Sequence, residues 1–285
     1  MRLFVVAAVC AVAVLGSATQ AAAQNWTGVY VGGSIGAGFQ KKNASETVRF
    51  DTNLDGTFTD TVRTVAGADA FSTGFCGGLA VGAMASAGCT DDEDGIDFGG
   101  RLGYDRQFGR VVVGGLVDVS RTDVIDSVTA FSITPAFYSF TREVNYVAGL
   151  RGRIGFGNDR VLVYGTGGPA WGNIDQRFTS SNLVNTFVPT DDGDDDDDDN
   201  DEGSSESVWG YQAGGGLEFR FGRRWSLTGE YLFTSLDNRE ESGIRSQGPA
   251  PVTNAFILVN PGGTDFQRSE KFEFQAVRFG LNYRF

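Results

Sequence analysis

The sequence predicts an all-β fold: an eight-stranded antiparallel transmembrane up-and-down β-barrel, with short turns at one end and four long loops at the other. Three observations support this prediction. Apolar and polar side chains alternate along eight segments, as in strands with one face toward lipid and one toward the interior. The chain has 41 glycines and 6 prolines, which suits closely packed strands. Its connections alternate between short and long.

The N-terminal segment, residues 1–23, is predicted to be a signal peptide. It has a positive charge at Arg2, an apolar run over residues 3–15 and a small residue at Ala23, the three parts of such a peptide. The apolar run is too short for a membrane helix, and no later segment offers about 18 continuous apolar residues. Such a chain spans a membrane as a barrel, here as one domain over residues 24–285.

The first four strands are predicted over residues 29–39, 96–105, 111–119 and 144–156. The first has valine, isoleucine, alanine and phenylalanine on one face and mostly glycine on the other, and the second alternates apolar residues with glycine and charge. The third has valines outward. In the fourth we expect Val144 and Tyr146 outward and Glu143 inward, since the faces alternate with a period of two.

The last four strands are predicted over residues 161–172, 209–221, 225–234 and 271–285. The fifth strand is apolar or glycine on both faces, and Pro169 cannot donate a ladder bond, so we expect a bulge there. The sixth and seventh alternate regularly. The eighth ends in the outward aromatic pair Tyr283 and Phe285, which is typical of a strand whose outer face meets lipid.

The connections indicate the topology. Tight turns are predicted at residues 109–110, 158–159 and 222–223, whereas the other connections span about residues 40–94, 121–142, 174–206 and 238–270. Three of these far exceed the usual loop length of about 4 to 6 residues. Short turns and both termini at one end, with long loops at the other, is the layout of bacterial outer-membrane barrels.

Several segments together resemble the small outer-membrane β-barrel domain family, and more narrowly the porin-like surface antigens of alphaproteobacteria, which are related to OmpA-type and opacity-type barrels. They are WTGVYVGG at 26–33, RGRIG at 151–155, GTGG at 165–168, GGGLE at 214–218, WSL at 225–227, EY at 230–231 and VRFGLNYRF at 277–285. The resemblance implies a cell outer-membrane location, contact with outer-membrane lipid and lipopolysaccharide, and recognition of Phe285 by the barrel-assembly machinery. The chain departs from the family pattern at Leu116 and Pro169 and in its acidic run.

Charge and composition exclude several functions. The net charge is −13, and residues 191–206 alone contain nine Asp and two Glu, so the acidity is concentrated in one loop. No basic stripe exists to bind nucleic acid. The absence of histidine excludes Ser-His-Asp hydrolysis and imidazole metal or haem ligation. We expect no cofactor and no enzymatic activity, with paired-carboxylate catalysis as the remaining enzymatic alternative.

Six acids and six arginines are predicted to face the interior. They are Asp97, Asp105, Asp118, Glu143, Glu218 and Glu230 with Arg101, Arg151, Arg153, Arg220, Arg278 and Arg284. An eight-stranded barrel has an interior just wide enough for side chains to fill it. We therefore expect an ion network that plugs the lumen. The alternative is a charge-lined conduction path.

The first long loop contains two further features. Cys76 and Cys89 remain after signal removal, and an even number of cysteines in an exported protein predicts a disulfide. The apolar segment between them is either a hairpin folded over the barrel mouth or a contact surface. Residues 51–56 match the first half of a calcium loop, but Val62 stands where the bidentate Glu is required, so a polar turn is favoured.

These observations predict a structural and surface-display protein of a Gram-negative outer membrane. Two alternatives stay open: a narrow passive porin for small solutes, and a binding or adhesion module carried by the loops.

Overall fold

The computed structural model describes residues 26–40, 46–190, 203–237 and 243–285. The predicted signal peptide and residues 191–202 of the acidic run lie outside the described residues. Within the described ranges no helix is long and apolar enough to cross a membrane.

In the described residues, the regular structure consists of fourteen strands and one short 3₁₀ helix, Ala85–Ala87. The strands are β1 Gly28–Gln40, β2 Val48–Asp51, β3 Phe75–Gly77, β4 Gly95–Phe108, β5 Val111–Thr122, β6 Ile125–Ser132, β7 Ala136–Gly157, β8 Val161–Ser180, β9 Thr186–Pro189, β10 Gly203–Phe221, β11 Trp225–Leu236, β12 Ile244–Gln247, β13 Thr264–Arg268 and β14 Phe272–Arg284.

Eight of these strands close into an antiparallel barrel. Their order is β7, β5, β4, β1, β14, β11, β10 and β8, and the pairing of β7 with β8 closes the ring. They coincide with the eight strands predicted from the alternation, and the three tight turns connect β4 to β5, β7 to β8 and β10 to β11. The predicted fold class is confirmed.

The outer wall of the barrel is apolar. Ten residue steps separate Val29 from Phe39 on β1, and a strand rising about 3.3 Å per residue at a tilt of about 40° covers about 25 Å along the axis. Aromatic side chains ring both ends: Trp209, 70% exposed, lies near the loop end, and Phe221 and Phe285 lie near the end that carries both termini. This band has the height of a membrane's hydrocarbon layer.

The face assignment in the upper part of the fourth predicted strand is wrong. The register between β7 and β8 shifts between Val144 and Tyr146, which leaves Asn145 as an extra residue. Such a bulge reverses the facing of every residue beyond it. Val144 is therefore buried inside, at 0% exposure, while Glu143 is half-buried on the outer face.

The bulge predicted at Pro169 is absent. The pairs Gly149–Ala170 and Gly152–Gly167 share one register on either side of Pro169, and Pro169 lies opposite Tyr211 on β10. The strand β8 keeps its register although Pro169 has no N–H. The register shift lies instead on the neighbouring strand, β7.

Beyond the barrel, the four long connections form further β-structure, together with the extended ends of β7 and β8. β6 and the upper part of β7 form a hairpin, with β3 on one side and the end of β8 on the other. A separate four-stranded sheet has the order β2, β13, β12, β9. We call these two sheets together the loop sandwich.

Aromatic packing holds the loop sandwich together. Tyr138 on β7 lies stacked on Phe266 of β13 with ring centroids 5.7 Å apart, and Phe71 packs against Phe50 at 4.4 Å. Phe256 joins the same cluster of buried residues. Because the buried members come from three long connections, and Phe187 of the remaining one packs against Tyr138, the four connections form one packed body rather than four independent loops.

Candidate functional site

The lumen of the barrel holds two ion clusters. The upper cluster, toward the loop end, consists of Asp97, Asp118, Glu230, Arg101, Arg151 and Arg278. Arg278 donates from Nη2 to Asp97 Oδ2 at 2.7 Å and from Nη1 to Asp118 Oδ2 at 3.1 Å. Arg151 donates from Nε to the other Asp118 oxygen at 3.0 Å and from Nη1 to Glu230 Oε1 at 3.2 Å. Arginines and carboxylates thus alternate across the lumen.

The lower cluster lies nearer the termini and consists of Asp105, Glu218, Arg153, Arg220 and Arg284. Arg153 Nη2 donates to Glu218 Oε2 at 2.6 Å and to Asp105 Oδ2 at 3.0 Å. Arg284 Nη2 donates to the same Asp105 oxygen at 2.8 Å. The Arg153 guanidinium also lies 4.3 Å from the Tyr164 ring centroid, a favourable cation–π contact.

Glycines on β1 provide the space for these large side chains. A Cβ on Gly36 would lie 2.0 Å from Val277 O, and one on Gly32 would lie 2.0 Å from Asn282 Oδ1. Gly36 stands between Asp97 and Arg278 in the sheet. The small inward residues of the first strand therefore allow neighbouring strands to place charged side chains in the lumen.

An apolar layer closes the terminal end of the lumen; we call it the floor, and it consists of Trp26, Val112, Leu162 and Tyr164. Trp26 is fully buried, and its Nε1–H donates to Asn158 O at 2.7 Å. The Arg220 guanidinium lies 4.4 Å from the Trp26 ring centroid. Trp26 thus both fills the base of the lumen and shields the lower cluster from below.

A second apolar layer, the ceiling, lies between the upper cluster and the loop sandwich. Its buried members are Val124, Val144, Val147, Ala170, Ile174, Val208, Leu236, Phe272 and Phe274. The β7 bulge contributes to this layer, because it turns Val144 inward. The lumen is therefore filled in four layers: floor, lower cluster, upper cluster and ceiling.

Above the ceiling, Glu46, Asp126, Arg142 and Arg268 form a third buried cluster, the neck cluster. Arg268 donates from Nε to Glu46 Oε1 at 2.8 Å and from Nη2 to Asp126 Oδ2 at 2.7 Å. Arg142 also donates to Asp126, and its Nη1 donates to Glu270 O at 3.1 Å. The cluster joins three of the long connections where the loop sandwich meets the barrel.

The neck carboxylates differ in acidity. Burial raises the pKa of Glu46 to about 6, with Arg268 partly opposing this effect. Burial also disfavours ionisation of Asp126, but Arg268 and Arg142 outweigh it and hold the pKa of Asp126 below its ordinary value. Nearby, burial raises the pKa of Asp92 to about 6. The pKa values of Glu46 and Asp92 thus both lie above the ordinary range of a carboxyl group.

Comparison with known proteins agrees with this geometry. The model of the outer membrane protein β-barrel domain matches residues 8–285. The chain belongs to that family. A 31 kDa outer-membrane immunogenic protein of Brucella melitensis is 26% identical over 267 residues, which cover 92% of this chain and 84% of that protein. A protein of the same name from Brucella suis aligns equally.

The chain also aligns with solved structures of other proteins. OprG from Pseudomonas aeruginosa aligns with a TM-score of 0.44 at 10% identity, over 92% of this chain and 99% of that one. Ail of Yersinia pestis aligns with a TM-score of 0.33 at 14% identity, over 91% and 99%.

Family membership places this outer-membrane barrel in the cell outer membrane. In bacterial barrels of this kind the short turns face the periplasm and the long connections face outside. The floor at Trp26 is therefore periplasmic, and the loop sandwich is external.

The structure brings eleven of the twelve predicted interior charges into the two lumen clusters. The exception is Glu143, because the β7 bulge turns it to the outer face, opposite Asp175. The strand pattern did not indicate Trp26 or Tyr164 as lumen residues, and Asp126 and Arg142 were predicted to lie in a loop. A short polar–apolar alternation over Ser127 to Ala130 and the aromatic side chains of the long connections could have indicated this structure.

Cys76 and Cys89 form a disulfide in the barrel's first external connection. Gly78 N–H donates to Ser127 O at 2.6 Å, so the base of the hairpin is attached to β6. Val81 and Met84 are exposed and do not belong to the buried cluster of the loop sandwich. The hairpin thus presents apolar side chains to its surroundings, as in the contact-surface alternative.

The calcium-like segment forms a compact turn. Asp51 Oδ1 accepts from Leu54 N at 2.7 Å, and its Oδ2 accepts from Gly56 N at 2.7 Å. Both carboxylate oxygens of Asp51 therefore bind backbone N–H groups. Within the described parts of the chain, no group of three or more Cys, Asp or Glu side chains is placed to hold a metal ion.

Proposed function

We propose that this outer-membrane barrel is a sealed, non-enzymatic scaffold that presents the loop sandwich at the cell surface. The observation that carries the proposal is the filled lumen. Two ion clusters occupy it between the floor and the ceiling, and nearly all of their side chains are fully buried. Eight strands leave little cross-section beyond that which side chains fill.

The energetics of the lumen support a seal. Moving a charged side chain out of such a cluster leaves its partner unpaired in a low-dielectric interior, which costs several kcal/mol. Arg151 and Arg278 each bond to two carboxylates, so moving either one breaks two ion pairs. The apolar ceiling is an additional barrier, because ions cross apolar constrictions poorly.

The exterior supports a display role. The external connections are packed around Tyr138, Phe71 and Phe266 and anchored by the neck cluster. A rigid body of this kind presents a defined surface. The absence of histidine supports a non-enzymatic role, since the common acid–base and metal chemistries rely on imidazole.

The apolar outer wall of the barrel and its C-terminal residue indicate the proposed partners. The apolar outer band suits outer-membrane lipid and lipopolysaccharide. Phe285, exposed at the periplasmic rim, is the terminal aromatic that the barrel-assembly machinery would recognise.

Planar-bilayer recording of the refolded protein tests the seal, with a conducting porin reconstituted in the same way as the positive control. We expect no reproducible conductance steps. Steady, salt-dependent steps would replace this proposal by the passive-porin alternative, and Glu218→Gln or Arg278→Gln would then change ion selectivity.

Cysteine labelling on intact cells tests the display. Val252→Cys, at an external position that is 83% exposed, should react with a membrane-impermeant maleimide. Asp159→Cys, in the periplasmic turn between β7 and β8, should not react. The opposite pattern would contradict the orientation.

A further inference from the structure

Arginines gather at the periplasmic end of the barrel, beside the three short turns; we call them the arginine collar. They are Arg106 and Arg110 at the turn between β4 and β5, Arg160 at the turn between β7 and β8, and Arg223 and Arg224 at the turn between β10 and β11. All are exposed, and none forms an ion pair with a carboxylate of the described residues. Outside the lumen, the negative groups that the structure describes at this end are Asp159 and the C-terminal carboxylate of Phe285. The collar is therefore a positively charged surface.

Two arginines of the collar lie on the outer wall, against aromatic rings. The Cζ atom of Arg106 lies 5.1 Å from the ring centroid of Phe108, which is the next outward residue of β4 toward the turn and is 56% exposed. Arg224 Nη1 donates to Tyr283 OH at 2.6 Å, and its Cζ lies 5.8 Å from the Tyr283 ring centroid. Rings at the ends of a barrel wall lie at the level of the lipid headgroups, so both guanidinium groups lie at that level too.

These two guanidinium groups keep N–H donors for a further partner. In the described part of the chain, the side-chain N–H groups of Arg106 and the Nε and Nη2 groups of Arg224 donate to no acceptor. A guanidinium that lies against a ring still presents the N–H groups of its edge, and this planar fork matches the oxygens of a phosphate. The collar therefore offers phosphate-binding groups at the level where lipid phosphates lie.

The negative net charge of the protein does not cancel the collar. The net charge is −13, and most of it comes from the nine Asp and two Glu of residues 191–206, which connect β9 to the external end of β10. An apolar band about 25 Å tall separates the two ends of such a barrel, whereas charges in physiological salt are screened within about 8 Å. The local charge at the turns, which is positive, therefore determines which ligands are attracted there.

We propose that the arginine collar binds anionic phospholipids of the periplasmic leaflet through their headgroup phosphates. Arg106 and Arg224 would each hold one phosphate at the girdle, and the acyl chains would lie along the apolar wall that continues from it. The turn arginines would add attraction to the anionic leaflet. A lipid is favoured over a soluble anionic polymer because these two guanidinium groups lie on the lipid-facing wall, above the turn tips. The inference rests on the proposed function in one respect, since the turns must face the periplasm.

Native mass spectrometry of the refolded mature protein tests the proposal. The protein is released from detergent micelles that contain equal amounts of phosphatidylglycerol and phosphatidylcholine with the same acyl chains. We expect the barrel to retain phosphatidylglycerol at least about tenfold more than phosphatidylcholine, since each arginine near an anionic surface strengthens binding about fivefold. The preference should weaken as the ammonium acetate concentration is raised. Glycerol 3-phosphate, which has the phosphate but no acyl chains, should not displace the lipid.

Variants of the two wall arginines locate the site. The double variant Arg106→Gln with Arg224→Gln should lose at least about fivefold of the preference for phosphatidylglycerol. The double lysine variant keeps both charges and should retain most of the preference. The matched control is Arg121→Gln, an exposed arginine at the external end that pairs with Asp123 at 3.4 Å; it should leave the preference unchanged. Heat-modifiable migration checks that each variant folds.

Several results would overturn the inference. They are equal retention of the two lipids, an unchanged preference in the double glutamine variant, and displacement of the lipid by glycerol 3-phosphate. Cosedimentation with purified peptidoglycan tests the soluble alternative: binding that depends on Arg110, Arg160 and Arg223, without any lipid preference, would assign the collar to the cell wall. A sealed barrel that is labelled as expected but has no lipid preference loses only this inference. A barrel that prefers phosphatidylglycerol but is labelled at Asp159→Cys on intact cells loses the proposed orientation instead.

Discussion

Arg151 and Glu230 meet across the lumen: two guanidinium nitrogens of Arg151, on β7, donate to the same Glu230 carboxylate oxygen, on β11, at 3.2 Å. Tyr164 OH donates to the other oxygen at 2.9 Å. Arg101, on β4, also donates to both oxygens at 3.5 Å, so Glu230 receives bonds from three strands besides its own. Its removal would leave the positive charge of Arg151 partly unpaired in a buried site, which is far more costly than the loss of a surface ion pair.

We therefore expect Glu230→Ala to lower the free energy of unfolding by about 3 to 5 kcal/mol. The matched control is Glu143→Ala, an acid that faces outward and whose loss should cost less than about 0.5 kcal/mol. Urea unfolding of the refolded barrels in lipid vesicles measures both. Equal effects would show that the lumen cluster does not stabilise the barrel.

The floor should matter for stability more than the outer aromatic ring does. Trp26→Ala removes a fully buried ring and should cost about 3 to 5 kcal/mol. Trp209→Ala, on the outer wall, should cost clearly less in the same urea titration. Trp26→Ala should remain closed in bilayer recordings, because both ion clusters and the ceiling are still in place. Conductance of this variant would show that Trp26 alone forms the seal.

The disulfide should support the hairpin rather than the barrel. Cys76 and Cys89 are 13 residues apart, and closing a loop of that size stabilises the folded state by about 3 kcal/mol. Since the hairpin lies outside the barrel strands, Cys76→Ser should still insert and show normal heat-modifiable migration. Limited proteolysis should cut residues 77–88 faster in this variant. Free alkylation of both thiols in the non-reduced, denatured wild type would contradict the disulfide.

The attachment of the loop sandwich should depend on pH through Glu46. Its pKa rises from 4.5 to about 6 on folding, so the folded form binds the proton more tightly. Its contribution to stability is therefore fully present below about pH 4.5 and is lost as pH rises through 6, by about 2 kcal/mol. Asp92 changes in the same direction, whereas Asp126 loses stabilising charge only in stronger acid.

Hydrogen exchange of residues 46–51 and 264–268 measures this effect. After correction for the intrinsic exchange rate, protection should be greater at pH 5 than at pH 7.5. Glu46→Gln should remove most of the difference, since glutamine is neutral at both pH values. Exchange of the barrel strands should be unaffected, and equal protection at both pH values in the wild type would contradict the prediction.

The barrel could be predicted from the amino-acid sequence alone, because the facing of a strand residue depends on a local period of two. Phe98, Leu150 and Phe279 face outward, and Arg101, Arg151 and Arg278 face inward, as that period requires. The lengths of the connections likewise determined the topology.

Which of these residues contact one another depends on the three-dimensional packing. Nothing in the local pattern pairs Arg278 with Asp97, which lies 181 residues away, or selects Asn145 as the bulge that turns Val144 inward. The loop sandwich shows the same limit: Phe71 and Phe256 lie far apart in the chain but pack in one core. Such contacts depend on how the shapes, volumes and charges of distant segments fit together. These segments become neighbours only when the barrel has closed.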